Sequence, residues 1–256
     1  MKPQKTLEVL FTPAEFDALS RRNLSQTVCV VFDVLRATSS MITALANGAE
    51  VVLPAAEIPE ALALKQSDPG LLLAGERHGR RIEASLTGGL DFDLGNSPRE
   101  FTRERVAGRR LAMTTTNGTR ALRACSRARQ VLVGSFLNLE ATARFLQKSN
   151  PENLLIICSG TFEHASFEDA LAAGALCDRL WTQHSDGSIA DSALICRRIY
   201  LPGRDDLVAE FSESANGKRL LSISDLQDDV AYCAQRDVFP FVVELGRDGA
   251  VRKLPT

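Results

Sequence analysis

Short apolar runs rich in β-branched residues alternate along the chain with alanine-rich segments of helical spacing, and polar loops separate them. The apolar runs have the length and composition of buried strands, and they lie at 28–32, 51–54, 71–74, 130–133 and 154–158. The helical segments lie at 39–47, 58–66, about 138–146 and 166–181. Strands that alternate with helices indicate an α/β fold with a largely parallel sheet that is covered on both faces.

The 256 residues are enough for one large domain or two small ones. No stretch rich in proline, glycine or serine divides the chain, so we expect a single domain over 1–256. The C-terminal third contains a polar stretch at 212–218 and a strand-like segment at 239–244. A faint likeness between 30–49 and 156–175 leaves two interpretations open. One is an ancient duplication with halves at about 1–135 and 136–256, and the other is the ordinary likeness of parallel α/β units.

Composition excludes several classes of protein. The formal net charge of −2 shows no attraction to nucleic acid or membranes. No run of eighteen apolar residues could form a membrane-spanning helix, and the N-terminal MKPQKTLE is too polar for a signal peptide. Six cysteines without a pairing rhythm are typical of reduced thiols, so we expect a cytoplasmic protein. The three histidines lack metal-ligand spacing, which argues against a zinc site.

Charged and hydroxyl side chains follow the ends of several of these strands. Ligands of parallel α/β sheets bind outside the carboxyl ends of the strands, so we expect these side chains to meet there. The residues that follow the strand ends are Asp33, Arg36, Glu76, Arg77, the 91–97 loop, the 114–119 loop, Cys158 to Thr161, Glu168 and Asp169. Carboxylates suit Mg²⁺ that shares its coordination with a phosphate, and arginines suit phosphate or sulfonate oxygens. This set predicts a site for a phosphorylated, acidic small molecule.

The loop TTTNGT at 114–119 is the clearest candidate for contact with an anion. Its hydroxyls and its glycine let main-chain N–H groups approach a ligand, and a helix is expected to begin behind it. Taken alone, the loop is more typical of an ordinary polar turn with a helix cap.

The other members of the set also have purely structural interpretations. The segment 97–100 has the pattern of a capping box with proline at the first helical position. Cys158, at a strand end, is more typical of a buried small apolar residue than of a nucleophile. Loop capping, surface ion pairing or favourable charge in a first helical turn would account for the remaining residues one at a time: Asp33, Arg36, Glu76, Arg77, Glu168 and Asp169.

Familiar phosphatase and nucleotide motifs do not occur in the sequence. Asp33-Val34-Leu35 lacks the second acid of an Asp-x-Asp site. Six residues separate Cys29 from Arg36, whereas a cysteine phosphatase requires five. A Walker loop and a GxSxG elbow are both missing. The common sites therefore do not explain these residues.

The chain resembles the 2-phosphosulfolactate phosphatase family in a series of blocks between residue 7 and about residue 240. The blocks are DVLRATSS (33–40), GER (75–77), DLGNSP (93–98), TTTNGT (114–119), NLEA (138–141), CSGT (158–161), ED (168–169) and DVAYC (229–233). The resemblance implies a three-layer α/β/α fold with internal duplication and a Mg²⁺-dependent phosphatase. Its reaction would convert 2-phospho-3-sulfolactate to 3-sulfolactate and phosphate, which is a step of coenzyme M biosynthesis.

Metal ligands and hydrogen-bond donors can be assigned on this resemblance. We expect Asp33 and Glu76 to bind Mg²⁺ directly or through water, together with Asp93 or Asp91, between which the sequence TGGLDFD leaves the choice open. Hydrogen bonds to the anionic groups of the substrate would come from loop residues: Asn96, Ser97, Thr115, Thr116, Asn117, Gly118, Thr119, Ser159 and Gly160.

The chemical step is assigned on the same resemblance. Arg36 and Arg77 would hold the phosphate and the sulfonate or carboxylate. Glu168 or Asp169 would orient the attacking water, and Cys158 is a covalent alternative. Two other functions remain open, namely a phosphatase for another 2-phospho-acid and a non-catalytic binding protein for a dianionic metabolite. The expected partners are a small anionic phosphorylated substrate and a second copy of the chain in a homodimer, with no nucleic acid and no membrane.

Overall fold

The computed structural model describes residues 5–185 and 187–255, and eleven strands within these residues form one sheet. The strands are β1 (Thr6–Leu10), β2 (Thr27–Phe32), β3 (Val51–Pro54), β4 (Leu72–Arg77), β5 (Arg80–Arg81), β6 (Arg110–Thr114), β7 (Gln130–Gly134), β8 (Asn153–Cys158), β9 (Ser188–Ile189), β10 (Val243–Leu245) and β11 (Val251–Lys253). Their order across the sheet is β5-β4-β6-β3-β11-β10-β7-β2-β8-β1-β9.

Twelve α-helices and three short 3₁₀ helices complete the described part of the chain. The α-helices are α1 (Pro13–Asp17), α2 (Ala37–Ala46), α3 (Ile58–Ser67), α4 (Ala84–Thr87), α5 (Arg103–Val106), α6 (Gly118–Ala124), α7 (Leu139–Ser149), α8 (Phe167–His184), α9 (Asp191–Gly203), α10 (Leu207–Glu213), α11 (Ala215–Leu221) and α12 (Gln227–Cys233). The 3₁₀ helices are Ala18–Arg21, Pro98–Glu100 and Phe136–Asn138. Among the described residues, no helix has both the length and the apolar character that a membrane span requires.

Both faces of the central strands are buried. Along β2, Val28, Val30 and Phe32 pack into one apolar cluster, to which α7, α8 and α9 contribute. Cys29 and Val31 point the other way, into a second cluster with α2 and α6. This alternation explains why the strand is a continuous apolar run. The predicted α/β class, with helices covering a mostly parallel sheet, is confirmed, while the suggested duplication stays a prediction.

The C-terminal hairpin β10–β11 joins two groups of parallel strands. β2 is parallel to β7 and β8, and β6 is parallel to β3 and β4. Between these groups, β10 pairs antiparallel with β7, and β11 pairs antiparallel with β3. The predicted strand at 239–244 is displaced to Val243–Leu245. Pro240 has no N–H for a sheet hydrogen bond, so regular pairing begins beyond it.

One predicted strand end and one predicted capping box are wrong for reasons of tertiary structure. β4 continues past residue 74 to Arg77, because Gly75 pairs with Thr114 and the last two residues pair with β5. The capping box expected at 97–100 does not form. Ser97 instead donates its hydroxyl to Asp229 Oδ1 at 2.6 Å. Glu100, the other residue of the expected capping box, accepts from the N–H of Gly95 at Oε2, at 2.9 Å.

Candidate active site

The carboxyl ends of β2, β4, β6 and β8 surround a polar pocket, and α11 forms its remaining wall. The empty space of the pocket has a volume of about 400 Å³, which includes the space at its open mouth. It brings together part of the set predicted from the sequence: Asp33, Arg36, Glu76, Asn96, Thr116, Asn117 and Gly160. Thr161, which the sequence also placed at this strand end, lines the pocket as well. The other lining residues were not predicted: Leu35, Gly79, Phe162, Asn216 and Arg219.

Asp33 lies at the floor of the pocket, where β2 turns into α2. Its Oδ1 accepts from the N–H of Ala37 at 3.0 Å, and the side chain is 9% exposed. A Cβ atom at position 118 would lie 2.6 Å from Asp33 Oδ2, so Gly118 is required for this close approach. Burial raises the pKa of Asp33 to about 7; the charges of Glu76 and Glu168 add to the rise, and the Ala37 N–H opposes it.

Glu76 faces the pocket from the end of β4 and is held by three hydrogen bonds. Its Oε1 accepts from the N–H and the hydroxyl of Thr116 at 2.9 and 2.8 Å, and its Oε2 accepts from the N–H of Gly79 at 2.7 Å. Thr116 was predicted to donate to the substrate. The structure instead directs both of its donors to this carboxylate, which fixes the orientation of Glu76.

Two further acids begin α8 and are almost completely buried. Asp169 accepts from Val34 N–H at 2.8 Å and from Gly160 N–H at 3.2 Å, so it joins the loops after β2 and β8. Burial holds the pKa of Asp169 well above its usual range, and the charges of Asp33 and Glu168 act in the same direction. Glu168 Oε1 accepts from the amide of Asn216 at 3.2 Å. Its Oε2 is buried and has no hydrogen-bond partner in the described structure.

Arg36 is fixed beside these acids by a buried ion pair. Its Nη1 donates to Asp229 Oδ2 at 2.7 Å, and its Nη2 donates to the carbonyl of Gly79 at 2.8 Å. Asp229 is fully buried and also accepts from Ser97 Oγ and from Arg99 Nε. Sequence reasoning placed Asp229 in a family block without a role. The structure shows that it orients Arg36 and connects α12 to the pocket.

The α11 helix supplies two pocket residues that the sequence did not indicate. Asn216 is buried and donates to Glu168 and to the carbonyl of Leu35. Arg219 donates from Nη2 to Asn216 Oδ1 at 2.6 Å. The stretch at 212–218 carried no chemical pattern beyond its polarity, and only the tertiary fold brings the helix to the strand ends.

Arg77 and Asp93 do not line the pocket, and their described hydrogen bonds go to other parts of the protein. Arg77 donates to its neighbour's carbonyl, to Thr114 Oγ1 at 3.1 Å and to Glu57 at 3.4 Å. Asp93 is exposed, and its Oδ2 accepts from the N–H of Leu73 at the start of β4. Its open alternative, Asp91, is likewise exposed and accepts from the N–H of Ala84.

Several predicted donors serve the protein itself. Thr115 and Thr119 are buried and bond to each other across the turn that starts α6. Asn117 lines the pocket, but its amide donates to the carbonyls of Ser159 and Phe162 at 3.0 and 2.7 Å. Ser159 is fully buried, and its hydroxyl has no partner among the described residues. These residues shape the loops around the pocket.

Cys158 ends β8 in the apolar core and does not line the pocket. Its side chain is fully buried, and burial raises the pKa of the thiol well above its usual value. A thiol in such surroundings is a poor nucleophile because the thiolate is the reactive form. Cys158 is therefore poorly suited to form a covalent intermediate.

Comparison with known proteins identifies the family of the chain. A family model described as 2-phosphosulpholactate phosphatase matches residues 14–248. A protein of Caldanaerobacter subterraneus subsp. tengcongensis is 37% identical over 245 residues, which are 95% of this chain and 97% of that protein. Proteins of a Picosynechococcus species and of Thermotoga maritima are 38% and 36% identical over 222 and 216 residues, covering 85% and 84% of this chain and 88% of each relative.

All three relatives are named probable 2-phosphosulfolactate phosphatase. The family model covers most of the chain, and each relative aligns over most of both sequences. The chain belongs to the 2-phosphosulfolactate phosphatase family, whose members are phosphoric monoester hydrolases.

Proposed function

We propose that the protein hydrolyses 2-phospho-3-sulfolactate to 3-sulfolactate and phosphate in a Mg²⁺-dependent reaction. Family membership supports the reaction class. The observation that carries the proposal is the meeting of buried acids and two guanidinium groups around one pocket. Arginines would bind the anionic groups of such a substrate, and a divalent cation would allow acids and phosphate to share the pocket.

The donor set around Asp33 fits a Mg²⁺ ion. No three His, Cys, Asp or Glu side chains converge into a complete ligand set within residues 5–185 and 187–255. Mg²⁺ needs no such set, because it commonly uses one or two carboxylates and completes its coordination with water and substrate phosphate. Asp33, which uses only Oδ1 for a main-chain hydrogen bond, would hold the ion. When bound, it would neutralise charge on the phosphate oxygens.

Glu76 is better suited to an indirect role, because all of its described bonds come from Thr116 and Gly79. It would face the ion through water. Arg36 would hold a phosphate oxygen, since Asp229 and Gly79 fix its guanidinium at the pocket wall. Preorganised donors of this kind lower the barrier because they need no rearrangement as charge develops.

Asn96 is the remaining polar side chain that would touch the substrate. It is 5% exposed, lines the pocket, and its Oδ1 has no hydrogen-bond partner among the described residues. The side-chain amide of Asn96 carries N–H donors on its nitrogen and an acceptor on its oxygen. Rotation of the amide exchanges the positions of the nitrogen and the oxygen. Asn96 would therefore bind either a substrate oxygen or the attacking water.

Glu168 would orient the attacking water through Oε2. Asp169, the open alternative, already accepts one main-chain N–H on each oxygen. In the proposed step, the water oxygen bonds to phosphorus and its proton passes to the Glu168 carboxylate. The bond between phosphorus and the C2 oxygen breaks, and that oxygen keeps the electron pair and then accepts a proton, giving 3-sulfolactate.

The biological setting is part of the same proposal. We place the reaction in coenzyme M biosynthesis, in a cytoplasmic homodimer that binds neither nucleic acid nor membranes. The six cysteines are all free and buried, which fits a reducing compartment.

The test is phosphate release from 2-phospho-3-sulfolactate and from 2-phospholactate, each with Mg²⁺ and with EDTA. We expect Mg²⁺-dependent release that is much faster from the sulfonate. Asp33→Asn should abolish it, whereas the matched exposed variant Asp93→Asn should retain it. Equal rates on both esters would remove the proposed substrate, and substrate binding without any phosphate release would favour a binding protein.

A further inference from the structure

The guanidinium group of Arg219 is held in position at the wall of the pocket from three sides. Its Nη2 donates to Asn216 Oδ1 at 2.6 Å. Its Cζ lies 5.6 Å from the centre of the Phe162 ring, a cation–π distance. On another side it meets Gly79, where a Cβ atom would lie 3.7 Å from Cζ, in ordinary van der Waals contact.

Arg219 differs from the other arginine of the pocket in having no acid partner. Arg36 pairs with buried Asp229, but Arg219 forms no ion pair within residues 5–185 and 187–255. Its Nε is buried and has no acceptor among those residues. A buried donor without an acceptor costs free energy, which an anionic ligand in the pocket would recover.

Asn216 separates Arg219 from the acids. Its amide nitrogen donates to Glu168 and to the carbonyl of Leu35, and its oxygen accepts from Arg219. Glu168 therefore lies on one side of Asn216 and Arg219 on the other. A ligand that spans the pocket would present different anionic groups to the two sides.

We propose that Arg219, positioned by Asn216 and Phe162, binds the sulfonate of the substrate and determines the preference for it. This inference rests on the proposed function. Phosphate and carboxylate are attached to the same carbon of 2-phospho-3-sulfolactate, and the sulfonate is on the next carbon. Sulfonate oxygens are far weaker bases than those of the other two groups, so they compete poorly for a metal. A planar guanidinium, which is weakly hydrated and can donate two parallel hydrogen bonds, suits them well.

Three esters distinguish the sulfonate from the carboxylate. They are 2-phospho-3-sulfolactate, 2-phospholactate, which lacks the sulfonate, and the phosphate ester of 2-hydroxyethanesulfonate, which lacks the carboxylate. With Mg²⁺ present, Arg219→Gln should lower kcat/KM about 10–100-fold for both sulfonates and change it less than about threefold for phospholactate. Arg219→Lys should lose less on the sulfonates. Lys218→Gln removes a charge from the same helix at an exposed ion pair with Glu213 and should change none of the three rates.

An equal loss on all three esters would overturn the proposal, because Arg219 would then bind phosphate or only support the pocket. A loss confined to the two carboxylate esters would overturn it in favour of carboxylate binding. If the wild-type protein releases phosphate from none of them, the proposed function has failed. Calorimetry with 3-sulfolactate and lactate still tests the contact in that case. Weaker binding of 3-sulfolactate alone by Arg219→Gln supports the proposal, and absent or unchanged binding overturns it.

Discussion

Asp33→Asn should stabilise the metal-free protein at pH 8 while abolishing its activity. Burial and the neighbouring acids raise the pKa of Asp33 from 3.8 to about 7 in the folded state. The folded protein therefore binds this proton more tightly than the unfolded chain does. The stability that results is fully present below pH 3.8 and is lost as the pH rises to about 7. Asparagine has no proton to lose, so the substitution removes that loss.

The magnitude follows from the same pKa. The difference between about 7 and 3.8, at about 1.4 kcal/mol for each pKa unit, sets an upper limit of about 4 kcal/mol at pH 8. A proton taken up by Asp169, whose pKa is raised, would relieve part of the repulsion, so we expect about 1–3 kcal/mol. For a chain of this length that is a rise in Tm of about 2–10 °C. At pH 5, where folded Asp33 is still protonated, the gain should be about a third as large.

Thermal and urea unfolding in EDTA at pH 5 and pH 8 measure this effect. Asp93→Asn is the matched control, because it removes an exposed acid outside the pocket and should give no pH-dependent gain. Adding Mg²⁺ should raise the Tm of the wild-type protein more at pH 8 than at pH 5, and should hardly affect Asp33→Asn. A variant no more stable than the wild-type protein at either pH would refute the reasoning that the ionised acids destabilise the empty pocket.

Three further substitutions test the remaining assignments. Arg36→Ala should lower kcat/KM by more than about 10²-fold. It should also destabilise the fold by about 3 kcal/mol, because Asp229 loses its buried partner. Unchanged kinetics would show that Arg36 does not belong to the site. Glu168→Gln should lower kcat by at least about 10²-fold. Its stability in EDTA should not fall, since Oε2 of Glu168 has no described partner to lose. A rate near that of the wild-type protein would exclude Glu168 as the base. Cys158→Ala should keep kcat within about threefold and cost about 1 kcal/mol of stability, whereas an inactive, folded variant would restore the covalent alternative.

The central strands could be predicted because their sequence pattern has a single physical explanation. A run such as 28–32 is apolar at every position, and in the structure its residues pack alternately into the two core clusters. The short strands could not be predicted in the same way. β5 and β9 have two residues each, and pairing with β4 and β1 defines them rather than any pattern of their own.

The structure brings two of the predicted acids, Asp33 and Glu76, to one pocket, and it turns several of the predicted donors towards the protein itself. Asp33 and Glu76 follow strands, and strand ends meet at one edge of a parallel sheet, so local sequence was enough to place them. Hydroxyls in a loop carry no such information. Thr116 looked equally able to bind a ligand or a carboxylate, and the fold brings Glu76 within 2.8 Å of its hydroxyl.

The cationic side of the pocket depends on the last fifth of the chain. Arg36 meets Asp229 across 193 positions, and Asn216 meets Leu35 across 181. No local pattern specifies contacts of that range, because they arise from how α10 to α12 pack beside α8 and the 3₁₀ helix Pro98–Glu100. Substitutions in α11 could therefore alter which anion is accepted while leaving the acids at the strand ends unchanged. In this protein, the proposed division of roles gives the reaction to the acids at the strand ends and the choice of anion to Arg219 of α11.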